Sequence, residues 1–311
     1  MQSLDFRQLW TVVLCFLLAI VAALWFNGVR FHAGPWGTLY AICSAGCILG
    51  NGMEIRSPEW FGRLLVFANG YFLLVTICMS GALTSYLIAR VTTAPFADPW
   101  LYQADLMMGL DWRRVYSAYV EYDSAHFFMR RCYDSLTYSP AIVLCALALS
   151  GRKNELITFL LAFALALGVT MLIFVFIQAE ATAAFLLGPN PEYLPRSGNI
   201  ASWTISNLRS GALADISVHT LVGLVTFPSF HSAASVLIAW AAWPVRLIRV
   251  PLLIVNAGML MATPIEGTHY FVDVIAGVLI AAGAIYAVRA WRHSAGRIRR
   301  VRVLRPVLQA E

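Results

Sequence analysis

Long apolar runs repeat along the whole chain, and they constrain it more than any other feature. A hydrocarbon slab about 30 Å thick requires roughly 17–25 predominantly apolar residues per helical crossing. Leu9 to Phe26, Leu64 to Ala89, Glu155 to Gln178, Ser229 to Leu247 and Tyr270 to Val288 meet that requirement. Trp36 to Gly50, Leu136 to Ser150 and Val250 to Pro264 are shorter, and suit tilted, partly buried or re-entrant segments. Eight crossings, or seven, follow. With 60% hydrophobic and only 12% charged residues, 311 residues cannot be closed into one water-soluble core. The expected fold is an all-α polytopic transmembrane helix bundle.

Charge sets the expected orientation. The formal charge is +6, but the basic residues gather at span ends instead of forming a stripe on a soluble domain, which argues against a nucleic-acid partner. Arg289, Arg292, Arg297, Arg299, Arg300, Arg302 and Arg305 follow the last span and place that end in the cytoplasm by the positive-inside rule. Arg152 with Lys153, and Arg246 with Arg249, mark two further cytoplasmic turns. Eight spans then put the N-terminus in the cytoplasm too, with Arg7 ahead of an uncleaved first anchor. The expected location is a plasma or inner membrane. Five cysteines fall within apolar runs, Cys132 lies in an expected external loop, and no disulfide framework or zinc spacing is present.

Two polar stretches, Val91 to Asp134 and Ala179 to Phe227, face the same extracytoplasmic side under this alternation. The first has mixed charges and aromatics suited to short amphipathic surface helices. The second, with Gly188, Pro189, Pro191, Pro195 and Gly198, reads as an irregular loop or cap over a cavity. Three regions are expected: N-terminal spans over 1–62, a catalytic membrane core over 63–290 and a basic tail over 291–311.

The chemistry concentrates in two segments. Thr226-Phe-Pro-Ser-Phe-His231-Ser opens one span and Glu266-Gly-Thr-His269-Tyr-Phe-Val-Asp273 opens another, at the same membrane face. His269 and Asp273 are four apart, which stacks them about one helical turn (~6 Å) apart. A carboxylate there accepts the Nδ1 proton and leaves Nε2 as a free lone pair, as a nucleophile or base requires. Asp273 inside an apolar run costs roughly 2.5–3.5 kcal/mol on insertion scales and calls for a function. Pro228 suits a first helical turn, where free N–H groups and the Ser229 hydroxyl form an anion cradle. His231 at its edge can protonate a departing oxygen. A lone interfacial histidine is more often an ordinary hydrogen-bonded residue; two of them, one with a carboxylate and one beside Pro-Ser, favour catalysis.

These residues resemble the type 2 phosphatidic acid phosphatase superfamily, and within it the branch that includes inositol phosphorylceramide synthases. Phe227-Pro-Ser-Phe-His231-Ser-Ala and Gly267-Thr-His269-Tyr-x-x-Asp273-Val-x-Ala-Gly277 carry the resemblance, with weaker echoes at Gly109-Leu-Asp-Trp112 and Tyr133-Asp-Ser135. It implies a six-span core, here with about two N-terminal spans added. It also implies His269 as the nucleophile of a phosphohistidine intermediate, Asp273 as its orienting partner, His231 as general acid, and no metal or other cofactor. The broader superfamily's Lys, six residues, Arg-Pro element is missing, and Ala262-Thr263 stands where Ser-Arg would precede the second histidine. Arg209 is the first candidate for the missing phosphate-binding cation and Arg196 the second.

The expected partners are the membrane, a lipid-phosphate or phospholipid substrate, and a second lipid or polyol acceptor. Fewer cations favour transfer of a phospho-headgroup over hydrolysis of a bare monoester. Glu266 reads as an interfacial carboxylate, and Asp123, His126, Arg130, Arg131 and Asp134 as a solvated helix face. Two competing readings are a proton-coupled transporter using the same ionisable groups, and a scaffold without catalysis.

Overall fold

The computed structural model describes residues 6–50, 58–187 and 191–308, with backbone alone from residue 295. Gly188, Pro189 and the side chains of the arginines from Arg297 onward lie outside the described residues. Every apolar run of the sequence contains a helix. Helices α1 (Phe6–Phe26), α3 (Glu59–Val91), α8 (Lys153–Phe176), α12 (Arg246–Glu266) and the first part of α13 (Phe271–Leu308) are long and apolar enough to cross a membrane. Helices α6 (Asp123–Asp134) and α7 (Ser139–Leu149), bent by 54°, add a sixth span if counted as one. Pro140 at the start of α7 explains the break, because its ring and missing N–H fit a first turn but not an interior. The chain is thus an all-α, multi-pass membrane bundle.

Two lengths differ from expectation. The run from Ser229 to Leu247 yields only the 13-residue α11 (Phe230–Ala242), because Trp243-Pro244 turns the chain. The run that looked shorter yields the 21-residue α12, which carries Pro251 and Pro264 within it. Helix α2 (Gly34–Leu49) has 16 residues.

The core centres on α3, whose spanning window is 67% buried against 11% for α1. Small residues let its neighbours close in, as membrane helices require. A Cβ at Gly81 would meet Leu167 Cδ2 of α8 at 2.5 Å, and one at Gly70 would meet Leu156 Cδ2 at 2.9 Å. The α3 hydroxyls of Thr76, Ser80 and Thr84 each donate to the carbonyl four residues back, so none needs a lipid-facing partner. Trp10 Nε1 donates to Asn69 Oδ1 at 3.2 Å and ties α1 to this core.

The first polar stretch forms the expected short helices, α4 (Asp98–Met107), α5 (Trp112–Val120) and α6. Cys132 is a correction: it is buried in α6 rather than carried on a loop, and a Cβ on Gly258 of α12 would lie 2.6 Å from its Sγ. The second stretch is more regular than expected. It holds α9 (Thr182–Leu186), α10 (Ile200–Ser210) and a strand β2 (Asp215–Ser217) that pairs in parallel with β1 (Arg30–His32). Helix α10 buries Thr204, Ile205 and Leu208 at helical spacing and ends at Gly211 in the left-handed conformation, φ 79°. Both stretches gather over the end of the bundle where α11 and α13 begin.

Candidate active site

Helix α11 starts where its sequence allows. Ser229 is the N-cap, buried, with its hydroxyl accepting from Ser232 N at 3.4 Å. Pro228 therefore precedes the cap instead of entering the first turn. The Ser229 N–H donates to the Asp273 carbonyl at 3.1 Å. A Cβ on Gly277 would sit 2.2 Å from the Ser229 carbonyl oxygen, so the glycine is what lets α13 approach the start of α11.

His269 lies two residues ahead of α13, in the tight connection Gly267–Tyr270. Thr268, β-branched, is held at φ 56°, a conformation that costs about 1–3 kcal/mol and persists only where the surroundings impose it. They do: Thr268 O accepts from Thr182 N at 3.0 Å, and His269 N donates to Pro264 O at 3.1 Å. Asp273 Oδ2 accepts from Tyr270 N at 2.9 Å and lies 3.2 Å from His269 Nδ1. The i, i+4 pair expected from sequence is present, although on a loop-to-helix junction rather than one continuous helix.

The two histidines meet across Tyr133 of α6. Its ring stacks on His231 at 4.3 Å between centroids and 15° between planes, and its hydroxyl lies 3.3 Å from His231 Nδ1 and 3.0 Å from Ser197 Oγ. The same ring flanks Gly267, where an added Cβ would lie 2.9 Å from both Tyr133 Cε2 and His269 Cδ2. His269 is 3% exposed, and His231 is half-buried.

The arginines divide. Arg196 joins this cluster: its N–H donates to Glu266 Oε2 at 2.9 Å, its Nε to Asp134 Oδ1 at 2.9 Å, and its neighbour Ser197 holds Tyr133. The contacts of Arg209 are elsewhere, with Gln178 Oε1 at 2.8 Å and the Phe96 ring at 4.3 Å. Among the described residues no three His, Cys, Asp or Glu side chains gather so as to hold a metal ion.

Several supporting residues escaped the sequence reading. Asp105 accepts from Phe271 N and Val272 N, both at 2.8 Å, and so occupies the N-terminus of α13, where a negative charge is favoured. Asp98 accepts from Glu180 N at 2.8 Å, Ala181 N at 3.2 Å and Tyr270 O–H at 2.8 Å. Burial raises both carboxyls above the ordinary value. Their seven-residue spacing sets them on one face of α4, two turns apart, and that was the available signal. Trp112, from a weak echo, is fully buried and donates Nε1–H to Pro264 O at 2.9 Å. Glu266, read as interfacial, and Arg130, read as part of a solvated helix face, are also drawn in: Glu266 is 0% exposed, with Arg130 Nε at 3.5 Å from its Oε2.

A membrane helix bundle with a paired-histidine cluster at one end of its spans is the class that fold and site together define. The family model of the PAP2 superfamily matches residues 61–287, and the chain belongs to that superfamily. No curated protein and no solved structure gives a match. Membership suggests lipid phosphatase or phosphotransferase activity.

Proposed function

We propose that the protein transfers the phosphoryl group of a lipid phosphate through a phosphohistidine on His269. The observation that carries this reading is the meeting of the His269–Asp273 pair and the Tyr133–His231 stack around Gly267. With Asp273 accepting the Nδ1 proton, Nε2 of His269 attacks phosphorus in line and the ester P–O bond breaks. His231 gives its proton to the departing alkoxide, then takes one from the incoming water or alcohol, whose oxygen displaces His269 and completes the turnover.

The first turn of α11, with Ser229 at its cap, and the guanidinium of Arg196 supply the phosphate cradle in this reading. Arg209, held by Gln178 and the Phe96 ring, would act on a more distant part of the headgroup. The likeness of Phe227-Pro-Ser-Phe-His231 to the synthase branch supports transfer to a second lipid or polyol hydroxyl. Arg246 and Arg249 begin α12 at the end opposite the histidines, which supports an extracytoplasmic site with both termini in the cytoplasm.

The test is headgroup release or exchange from labelled phospholipids by detergent-purified protein, with EDTA, with and without alcohol acceptors. Wild type should act and His269→Ala should not; a variant as active as wild type refutes the nucleophile.

A further inference from the structure

Glu266 is a buried carboxylate at this end of the bundle that the proposed chemistry does not use, and unlike Asp98 and Asp105 it is bonded to a segment that carries an arginine. It closes α12, three residues before His269, and it is 0% exposed. Tyr119 and Tyr193 each donate O–H to Oε1, at 2.6 and 2.5 Å, and Arg196 N–H donates to Oε2 at 2.9 Å. Arg130 Nε stands 3.5 Å from Oε2, and the Glu266 carbonyl accepts from Ser197 N at 2.9 Å. Burial and the hydrogen bond to Glu266 push Tyr193 up to about 12 and raise Tyr119 as well, so both remain donors at neutral pH.

The donors come from α5, α6 and the segment 193–197, and that segment is the useful one. Leu194 O accepts from Arg130 Nη2 at 3.1 Å, and Tyr193 exchanges two hydrogen bonds with the Tyr116 hydroxyl, at 3.0 and 2.7 Å. The guanidinium of Arg196 is thereby fixed beside Asp134, one residue from the Tyr133 that stacks on His231, with its side chain still 54% exposed. A buried carboxylate costs several kcal/mol unless donors surround it, and here those donors order a cation-bearing segment.

The geometry points to Glu266 as a positioning residue for anion binding: it locks 193–197 over the site so that Arg196, backed by Arg130, contacts the substrate phosphate in place of the superfamily's missing cation element. This rests on the phosphoryl-transfer reading above and names how that site holds its anion.

The test uses full-length protein in detergent and two readouts: thermal stabilisation by inorganic phosphate, and kcat and KM for a lipid phosphate. Glu266→Gln keeps the volume but leaves one acceptor oxygen, so either the Arg196 N–H or the two tyrosine hydroxyls face an NH2 group. Phosphate affinity should fall about tenfold and KM rise by a similar factor, with kcat within about threefold. Arg196→Ala should do the same, and the double variant should lose little more than either single one. If Glu266→Gln does not fold, Tyr193→Phe, which removes one donor, should weaken phosphate by about threefold. Unchanged phosphate affinity in a folded variant, multiplying losses in the double variant, or no phosphate stabilisation of wild type overturns the assignment. A wild type that binds phosphate through Glu266 and Arg196 yet turns over no lipid phosphate would refute the proposed reaction while leaving the anion site standing.

Discussion

Gly277→Ala should silence the site without touching any reacting group. The added Cβ would lie 2.2 Å from the Ser229 carbonyl oxygen, 3.0 Å from Ser232 Cβ and 3.2 Å from Ala233 N. A carbon approaches a carbonyl oxygen no closer than about 3.3 Å, so the start of α11 and the first turns of α13 must part by roughly 1 Å. The nearest atom is backbone, so no side-chain rotation relieves the contact. The parting also stretches the 3.1 Å bond from Ser229 N to Asp273 O, which joins the two halves of the histidine cluster. Overpacking of this kind costs about 1–3 kcal/mol of stability, and a 1 Å misplacement of reacting groups costs on the order of 10²-fold in rate. The assay is turnover of a lipid phosphate alongside thermal unfolding in the same detergent. Gly283→Ala on the same helix, with nothing within 4 Å of its Cβ, is the control and should match wild type in rate. If Gly277→Ala stays within threefold of wild type, the α11–α13 contact does not set the catalytic geometry.

Tyr133→Phe keeps the ring stack on His231 but removes the hydroxyl that reaches Nδ1 and Ser197; kcat should fall by about tenfold, with stability within about 1 kcal/mol of wild type. A rate equal to wild type over the full pH range would remove Tyr133 from any part in setting the His231 tautomer. For Asp105, burial raises the folded pKa above 3.8, so the folded protein holds this proton more tightly than the unfolded chain does. Its contribution to stability is present below 3.8 and is lost as pH rises through the raised value. Asp105→Asn should flatten that acid-side decline in a series of unfolding scans, while costing about 1–3 kcal/mol because one of the two α13 amides loses its acceptor. A decline as steep as in wild type would assign the slope to another group.

The legible part of this molecule was the part set by period and by local spacing. Apolar runs of bilayer length announced the helices because lipid leaves the backbone no other way to satisfy itself. His269 and Asp273 announced each other because four residues bring them together, whether the segment is helix or a loop entering one. Tyr133 was different. It lies 98 residues before the His231 it stacks on, and only packing of α6 beside α11 and α12 brings them together. Asp98 and Asp105 looked like the polar face of a surface helix, and their burial depends on the 267–272 segment arriving from the far end of the chain. Glu266 had an interfacial position and a buried fate, since its donors come from three other places in the sequence. Regularity within 179–227 was hidden by its prolines and glycines, although Ile205, Leu208 and Gly211 carried the marks of a capped helix.

The brevity of α11 has a consequence for how a lipid must present itself. Thirteen residues rise roughly 20 Å, against about 30 Å of hydrocarbon. With its Trp243 end set at one boundary, such a helix would leave His231 roughly 10 Å short of the other. Under the proposed reaction the phosphorus to be attacked would then have to sink below its neighbours' headgroups, or the leaflet dimple to meet the protein. Either way the proposed reaction would take place in a well whose rim is lipid and whose floor is protein. Bulk water would be scarce at that depth, which adds support to the proposed transfer to an alcohol carried on a second lipid tail.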